Sequence, residues 1–302
     1  MNRRSAIREI VLAGAGSFYL RGSSDDKPQY TIRSDVRLVL LDVSVSNARG
    51  RPVTGLTAGN FRVFDNDRPQ PLTVFDSADE PVTVGILMDE SSSMAPKRTG
   101  VITAALTLIE QSNPRDQVFI LHFNEHVQRG LPGSLLFSDN IDELHAALTR
   151  GFPEGRTALY DAIIAGLQQL NMGRAGRKTL VLISDGKDTA STHKRRDMFQ
   201  AVEGSLATIY SIALIDPDDR DRDTGVLHQL AHISGGETFF PKDVTHLQAT
   251  CRAIAREIRT RYTLGYVPPV AVGDHSLRKV HVEVIAPGPE KLMARTRTSY
   301  LS

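Results

Sequence analysis

Oxygen-bearing side chains alternate directly after the most apolar run of the sequence. The run extends from Val82 to Met88, and Asp89, Ser91 and Ser93 follow it. Alternate residues in a tight loop can aim their oxygens at one point, and a carboxylate with two hydroxyls is a hard-oxygen set. Such a set suits Mg²⁺ or Mn²⁺ better than Zn²⁺, which favours nitrogen and sulfur ligands. The pattern predicts a divalent-metal site, with a solvated serine-rich turn as the alternative.

The apolar run itself reads as a strand that is covered on both faces. Seven residues are too few for a typical helix, and their uniform apolarity is typical of a central strand in a parallel sheet. In open α/β sheets, ligands bind beyond the carboxyl ends of the strands. Two more oxygen-bearing residues stand at such ends: Thr157 precedes an apolar-periodic helix, and Asp185 follows a second apolar strand.

The order Asp-x-Ser-x-Ser, then Thr, then Asp resembles the metal-ion-dependent adhesion site (MIDAS) of the von Willebrand factor type A (VWA) domain. The resemblance implies that Ser91, Ser93 and Thr157 are hydroxyl ligands. It implies that Asp89 and Asp185 reach the ion directly or through water. The implied cofactor is Mg²⁺, with Mn²⁺ or Ca²⁺ as alternatives.

Nearly the whole chain after the N-terminal segment is similar to a bacterial "VWFA-related" family that is best known from the Acidobacteria. The similar stretches begin at Ser34, Leu56, Glu80 and Tyr262. The metal loop departs from that family, because Ser92 stands where a glycine is usual. If residue 92 needed a left-handed backbone, the serine would cost on the order of 1 kcal/mol, too little to abolish a site.

Strand and helix patterns alternate from residue 81 to residue 260, which predicts a doubly wound, mostly parallel sheet. We predict strands at 82–88, 118–123, 179–183, 207–214 and 237–240, and helices at 98–112, 141–149, 158–170, 192–204, 225–233 and 244–258. Gly235 and Gly236 are expected to end the fifth helix.

The flanking segments, 30–80 and 261–302, carry strand patterns and no long helix. We expect them to join into one small β-sandwich-like domain, with the VWA domain, 81–260, inserted between them. Within the first segment, Asn66-Asp67 is expected to turn a hairpin between strands at 61–64 and 71–75, because Asn and Asp tolerate positive φ.

Residues 1–29 resemble an export signal followed by a linker. Arg3 and Arg4 precede the short, glycine-diluted apolar segment from Ile10 to Leu20, a layout that is similar to a bacterial twin-arginine signal. The segment is far shorter than the roughly 20 apolar residues of a spanning helix. We therefore expect an exported protein of the periplasm, cell surface or cell envelope, with N-terminal anchoring if the signal is not cleaved; a disordered or amphipathic helix is the alternative.

Composition narrows the function classes. The net charge is +1, which argues against a nucleic-acid binder, because phosphate contacts need a basic surface. Cys251 is the sole cysteine, so no intrachain disulfide forms, and its apolar helical setting indicates a buried residue and not a nucleophile.

Three other patterns could indicate a zinc site, a calcium site or a catalytic serine, and each has a plainer interpretation. His228 and His232 are spaced for one helix face, but the residue after His228 is Gln and not the Glu of a zinc protease, which favours surface histidines. The acidic run 219–225 resembles a calcium loop whose glycine comes one position late. A serine nucleophile would need a base, and His122 lies within an apolar run that favours packing.

We therefore expect a non-enzymatic protein, without catalytic residues, that captures an Asp or Glu side chain of a partner protein through the ion. The alternative is a structural or assembly component of the envelope in which the metal only stabilises the loops. An enzyme that uses the ion as a Lewis acid is a third hypothesis, for which no general base can be named.

Overall fold

The apolar runs of the sequence form the buried strands of the computed structural model, which describes residues 38–215, 224–269, 276–286, 288 and 290–301. The strands in these residues are β1 (Val39–Asn47), β2 (Phe61–Asp65), β3 (Arg68–Gln70), β4 (Val74–Asp76), β5 (Val82–Asp89), β6 (Gln117–Phe123), β7 (Val127–Arg129), β8 (Arg177–Ser184), β9 (Thr208–Ala213), β10 (Thr238–Phe239), β11 (Tyr262–Tyr266), β12 (Leu277–Val284), β13 (Leu292–Arg295) and β14 (Ser299–Leu301). The α-helices are α1 (Arg98–Glu110), α2 (Ile141–Thr149), α3 (Leu159–Asn171), α4 (Arg195–Glu203), α5 (Gly225–Ser234) and α6 (Val244–Arg259).

A six-stranded sheet forms the centre of the fold, in the order β10-β9-β8-β5-β6-β7. All neighbours are parallel except β7, which runs antiparallel to β6 at the edge. Every residue of β5 is buried, as expected for a strand that other elements cover on both faces. The predicted doubly wound, mostly parallel sheet is confirmed.

The helices that alternate with these strands form two groups. In one group α1 contacts both α2 and α6, and in the other α4 contacts both α3 and α5. Gly166 lets α3 approach the sheet closely, because a Cβ atom added to it would lie 3.0 Å from the Leu87 side chain of β5. The predicted helix at 141–149 has the predicted ends, and Gly235 ends α5 with φ +77°.

Two four-stranded antiparallel sheets are built from both ends of the chain. Their orders are β13-β1-β11-β4 and β14-β12-β2-β3, so strands from before and after the central sheet alternate. Their buried faces share one hydrophobic core, separate from that of the central sheet. The expected β-sandwich-like arrangement is confirmed. The division into domains at residues 80 and 261 stays a prediction.

The predicted hairpin is only half right. Asn66 and Asp67 have φ values of 46° and 62° and connect β2 to β3, as expected. The strand predicted at 71–75 as the partner of β2 is wrong, because β4 pairs with β11 in the other sheet. The contact with the other sheet begins just before β4, at Thr73, whose backbone N–H and hydroxyl both donate to the carbonyl oxygen of Gly265 in β11.

No helix in the described ranges is long and apolar enough to cross a membrane. The predicted export signal and linker, 1–29, lie outside the described residues, as does most of the calcium-like run, since the description stops at 215 and resumes at 224. Cys251 is fully buried in α6, as predicted, and burial raises the pKa of its thiol to about 12.

A buried carboxylate joins the two antiparallel sheets. Asp65, at the end of β2, has no exposed surface and accepts hydrogen bonds from the hydroxyls of Tyr266 and Tyr300 at 2.9 and 2.8 Å. The Arg278 guanidinium pairs with its other oxygen at 2.7 Å. Tyr266 belongs to one sheet, whereas the other three residues belong to the second.

We expect Asp65→Ala to lower the free energy of unfolding by about 3–5 kcal/mol, because it leaves a buried guanidinium and two hydroxyls without their acceptor. Urea unfolding followed by circular dichroism measures the change. Glu283→Ala removes an exposed carboxylate from the same sheet and should stay within about 0.5 kcal/mol of wild type. Equal effects of the two variants would contradict the assigned role of Asp65.

Candidate metal centre

The loops after β5 and β8 meet at the carboxyl edge of the central sheet. Asp89 is the last residue of β5, and Ser91 and Ser93 follow it at the start of a single 3₁₀ segment, Ser92–Lys97. Asp185 directly follows β8. The Ser91 and Ser93 hydroxyl oxygens are 3.1 Å apart, and the Ser93 hydroxyl donates to Asp185 at 2.6 Å. Ser93 therefore contacts two other predicted ligands, Ser91 and Asp185.

Thr157 reaches the same place from the segment that precedes α3. It lines a cleft of about 600 Å³ together with Ser91, Ser93 and Asp185. Its backbone is fixed on both sides: the N–H donates to the Thr189 hydroxyl at 3.0 Å, and the carbonyl accepts from two backbone N–H groups of the loop after β8. Four of the five predicted residues thus face one open cleft.

Asp89 lies behind these four residues. Its carboxylate accepts from the Ser91 backbone N–H at 2.8 Å and from the Ser184 hydroxyl at 2.6 Å, one bond to each oxygen. The residue is only 3% exposed. This geometry favours the water-mediated alternative for Asp89, with the carboxylate holding the serine loop in place.

Burial makes the ionised form of Asp89 costly. Desolvation raises the pKa of its carboxyl to about 6, although hydrogen bonds from Ser184 and Ser91 lower it, and the nearby Asp185 charge adds to the rise. A divalent ion at the cleft would offset this cost, because it places positive charge beside two carboxylates.

The loops around the cleft are tied to one another without an ion. Ser92 donates from its backbone N–H and its hydroxyl to the carbonyl of Gly155, both at 3.2 Å. The Glu154 N–H donates to the carbonyl of Glu90 at 2.8 Å. No described residue other than Asn66 and Asp67 combines a side chain with positive φ, so Ser92 adopts its place without left-handed strain.

The donor set fits a hard divalent cation. The cleft offers hydroxyl and carboxylate oxygens from five residues, the four predicted ligands and Thr189, with no imidazole or thiol among its lining side chains. In the described part of the chain, no group of three or more His, Cys, Asp or Glu side chains is placed to hold a metal. His228 and His232 therefore belong to no such group. The centroid of the His228 ring lies 5.2 Å from that of the Phe240 ring, against which it packs.

His122 is engaged away from the serines. Its Nδ1 lies 2.9 Å from a Glu90 carboxylate oxygen, and its Nε2 lies 2.8 Å from the Ala147 carbonyl oxygen. Arg98 binds the other oxygen of Glu90 at 2.9 Å. With both ring nitrogens occupied and 5% of the residue exposed, His122 is placed as a packing residue, as expected, and not as a base for Ser91.

Sequence reasoning missed several residues at the cleft. Ser184 and Thr189 fix Asp89 and Thr157, and Lys97, Arg156 and Lys187 line the cleft wall. A signal existed for Ser184, because it ends a strand next to β5 at the height of Asp89. No motif marked the three cations.

The position of Asp89 generates a prediction in the absence of metal. In chelator at neutral pH, Asp89→Asn should be more stable than wild type by on the order of 1 kcal/mol, because it removes a buried charge and keeps an acceptor for Ser91. Asp89→Ala should be less stable, since it leaves two donors unsatisfied. Thermal unfolding in EDTA compares them, and an Asn variant less stable than wild type would refute the assigned cost.

Comparisons with known proteins identify the fold and the family of this chain. Among curated proteins, no sequence matches the chain. Solved structures with the same fold include "von Willebrand factor type A from Catenulispora acidiphila" (15% identity, TM-score 0.53, covering 89% of this chain and 75% of that one). They also include a mutant of the PilB minor pilin from Streptococcus sanguinis (13% identity, TM-score 0.50, covering 64% of each chain).

The family model "von Willebrand factor type A domain" matches residues 83–252, more than half of the sequence. The chain therefore belongs to the von Willebrand factor type A domain family.

Proposed function

We propose that this chain is a divalent-metal-dependent, adhesion-type binding module that captures a carboxylate of a partner protein. The observation that carries the proposal is the contact of Ser93 with both Ser91 and Asp185, in an open cleft that Thr157 also lines. Family membership supports a role in protein interaction.

The charge of the donor set supports a site for an acidic ligand. Ser91, Ser93 and Thr157 would hold the ion with neutral oxygens, and Asp185 is the one carboxylate among the lining residues. Asp89 directs both of its oxygens to protein donors. A bound Mg²⁺ or Mn²⁺ would supply an electrophilic coordination position to which a carboxylate from outside can bind.

The contacts between the loops favour this function over the structural alternative. The Ser92–Gly155 and Glu154–Glu90 hydrogen bonds join the loops directly, so an ion is not needed as their sole connection. Binding is favoured over catalysis for a similar reason, because both nitrogens of His122 are engaged elsewhere.

We also propose that the protein is exported to the periplasm, cell surface or envelope. This rests on the sequence pattern of the first 29 residues, in which Arg3 and Arg4 precede a short apolar segment. It agrees with a binding module that meets its partner outside the cytoplasm.

Metal binding tests the proposal directly. Added Mg²⁺ or Mn²⁺ should raise the unfolding temperature of the wild-type protein. At an ion concentration ten times the dissociation constant, its free energy of unfolding should rise by about 1.4 kcal/mol. Asp185→Asn should abolish most of this stabilisation, because it removes the carboxylate that faces the cleft. Isothermal titration gives the affinity of each variant.

The control is Asp139→Asn, which neutralises an exposed carboxylate beside a different cavity. It should bind the ion as wild type does. Equal metal affinity in wild type and Asp185→Asn would remove the proposed site.

A further inference from the structure

The wall of the cleft is basic. Three of its lining residues are Lys97, Arg156 and Lys187, whereas Asp185 is its one acidic lining residue. This contrasts with the near-neutral chain as a whole, whose net charge is +1. A divalent ion bound among Ser91, Ser93 and Thr157 would add two more positive charges to the same cleft.

Lys97 is held in place without being neutralised. Its Nζ donates to the backbone carbonyl of Leu214 at 2.6 Å, and a carbonyl carries no net charge. No carboxylate in the described ranges pairs with it. Lys97 ends the 3₁₀ segment that begins at Ser92, so its charge is fixed next to the serine loop.

Arg156 is the more accessible cation. It directly precedes Thr157, and 65% of its side chain is exposed. It pairs with Glu125 at 3.0 Å, and this hydrogen bond and charge hold the pKa of the Glu125 carboxyl below its usual value. Because Glu125 is itself 40% exposed, water screens the pair and an incoming acid can share the guanidinium.

We propose that the partner segment is an acidic cluster and not a lone carboxylate: one Asp or Glu binds the ion, and neighbouring acidic side chains bind Lys97 and Arg156. This inference rests on the proposed metal-dependent function. The occupant follows from charge complementarity, because a neutral or basic segment would leave Lys97 and the ion without a negative counter-charge in the cleft.

The same charges couple the two ligands. Lys97 and Arg156 repel a cation in the empty cleft, so they weaken metal binding until an acidic segment arrives. Binding of the two ligands is then reciprocal: the acidic segment raises the affinity for the metal, and the metal raises the affinity for the segment by the same factor.

The experiment uses the full chain and three fluorescent peptides of equal length in a Gly/Ser background. One peptide carries a single Glu, one carries three adjacent Glu, and one carries a Glu between two phosphoserines. Fluorescence polarisation gives each affinity in Mg²⁺ and in EDTA. The test variant is Lys97→Gln with Arg156→Gln.

The matched control is Arg115→Gln with Arg174→Gln. These two exposed arginines line the cavity at the amino ends of the parallel strands, the opposite edge of the sheet from the cleft. The control removes the same charge from the chain, so it separates the position of the cations from net charge.

In Mg²⁺, wild type and control should bind the three-Glu peptide roughly three- to tenfold more tightly than the single-Glu peptide, as two exposed ion pairs would give. The test variant should bind the two peptides within about twofold of each other. Without peptide, it should bind Mn²⁺ more tightly than wild type, a gain that simple damage to the loops would not produce.

Three results would overturn the inference: an unchanged preference in the test variant, an equal loss in the control, or weaker binding of the phosphoserine peptide than of the single-Glu peptide, since phosphoserine carries more negative charge than Glu. The proposed function fails separately. It fails if neither EDTA nor Asp185→Asn weakens binding of the single-Glu peptide, whatever the preference between peptides.

Discussion

The candidate site depends on the parallel hydrogen-bond register of three adjacent strands. Met88 of β5 lies opposite His122 of β6 and Ile183 of β8, so the strands end at the same height. Because side chains alternate along a strand, a slip of one residue would turn Asp89 to the opposite face. Side-chain packing opposes such a slip, because Gly85 of β5 lies opposite Phe119 of β6 and leaves the space that the Phe119 ring occupies. Packing in the core thus sets the positions of the polar residues beyond it.

Stability and binding oppose each other at this edge of the sheet. The chain buries Asp89 and places a second carboxylate, Asp185, near enough to raise its pKa further. It also gathers Lys97 and Arg156 around the cleft. Neither group of like charges is favourable alone. In the proposed function, an ion would offset the first group and an acidic partner would offset the second, so the arrangement would be most stable with both ligands bound.

The sequence predicted what depends on local pattern. Apolar runs located the strands of the central sheet, and the order of Asp89, Ser91, Ser93, Thr157 and Asp185 predicted a shared site, of which four residues line one cleft. Long-range pairing was less accessible. The strand at 71–75 was assigned to the wrong sheet, because its partner, β11, is almost 200 residues away and no local pattern encodes that choice. The basic wall of the cleft was missed for the same reason: single lysines and arginines in separate loops read as ordinary surface charges until the fold brings them together.

The opposite end of β8 shows how the chain holds the antiparallel strands against the central sheet. Arg177, the first residue of β8, lies 3.5 Å from Asp42 of β1 and donates to the carbonyl of Ile258. Arg261 donates to the carbonyl of Asp42 and to the hydroxyl of Tyr210. Removing one partner of such a buried charged pair is strongly destabilising, because the remaining charge stays buried without compensation. A strand of eight residues spans roughly 25 Å. β8 therefore has the Arg177 contacts at its first residue and Ser184, which holds Asp89, at its last. The antiparallel strands are therefore fixed far from the cleft, which leaves the carboxyl edge of the sheet open to a partner.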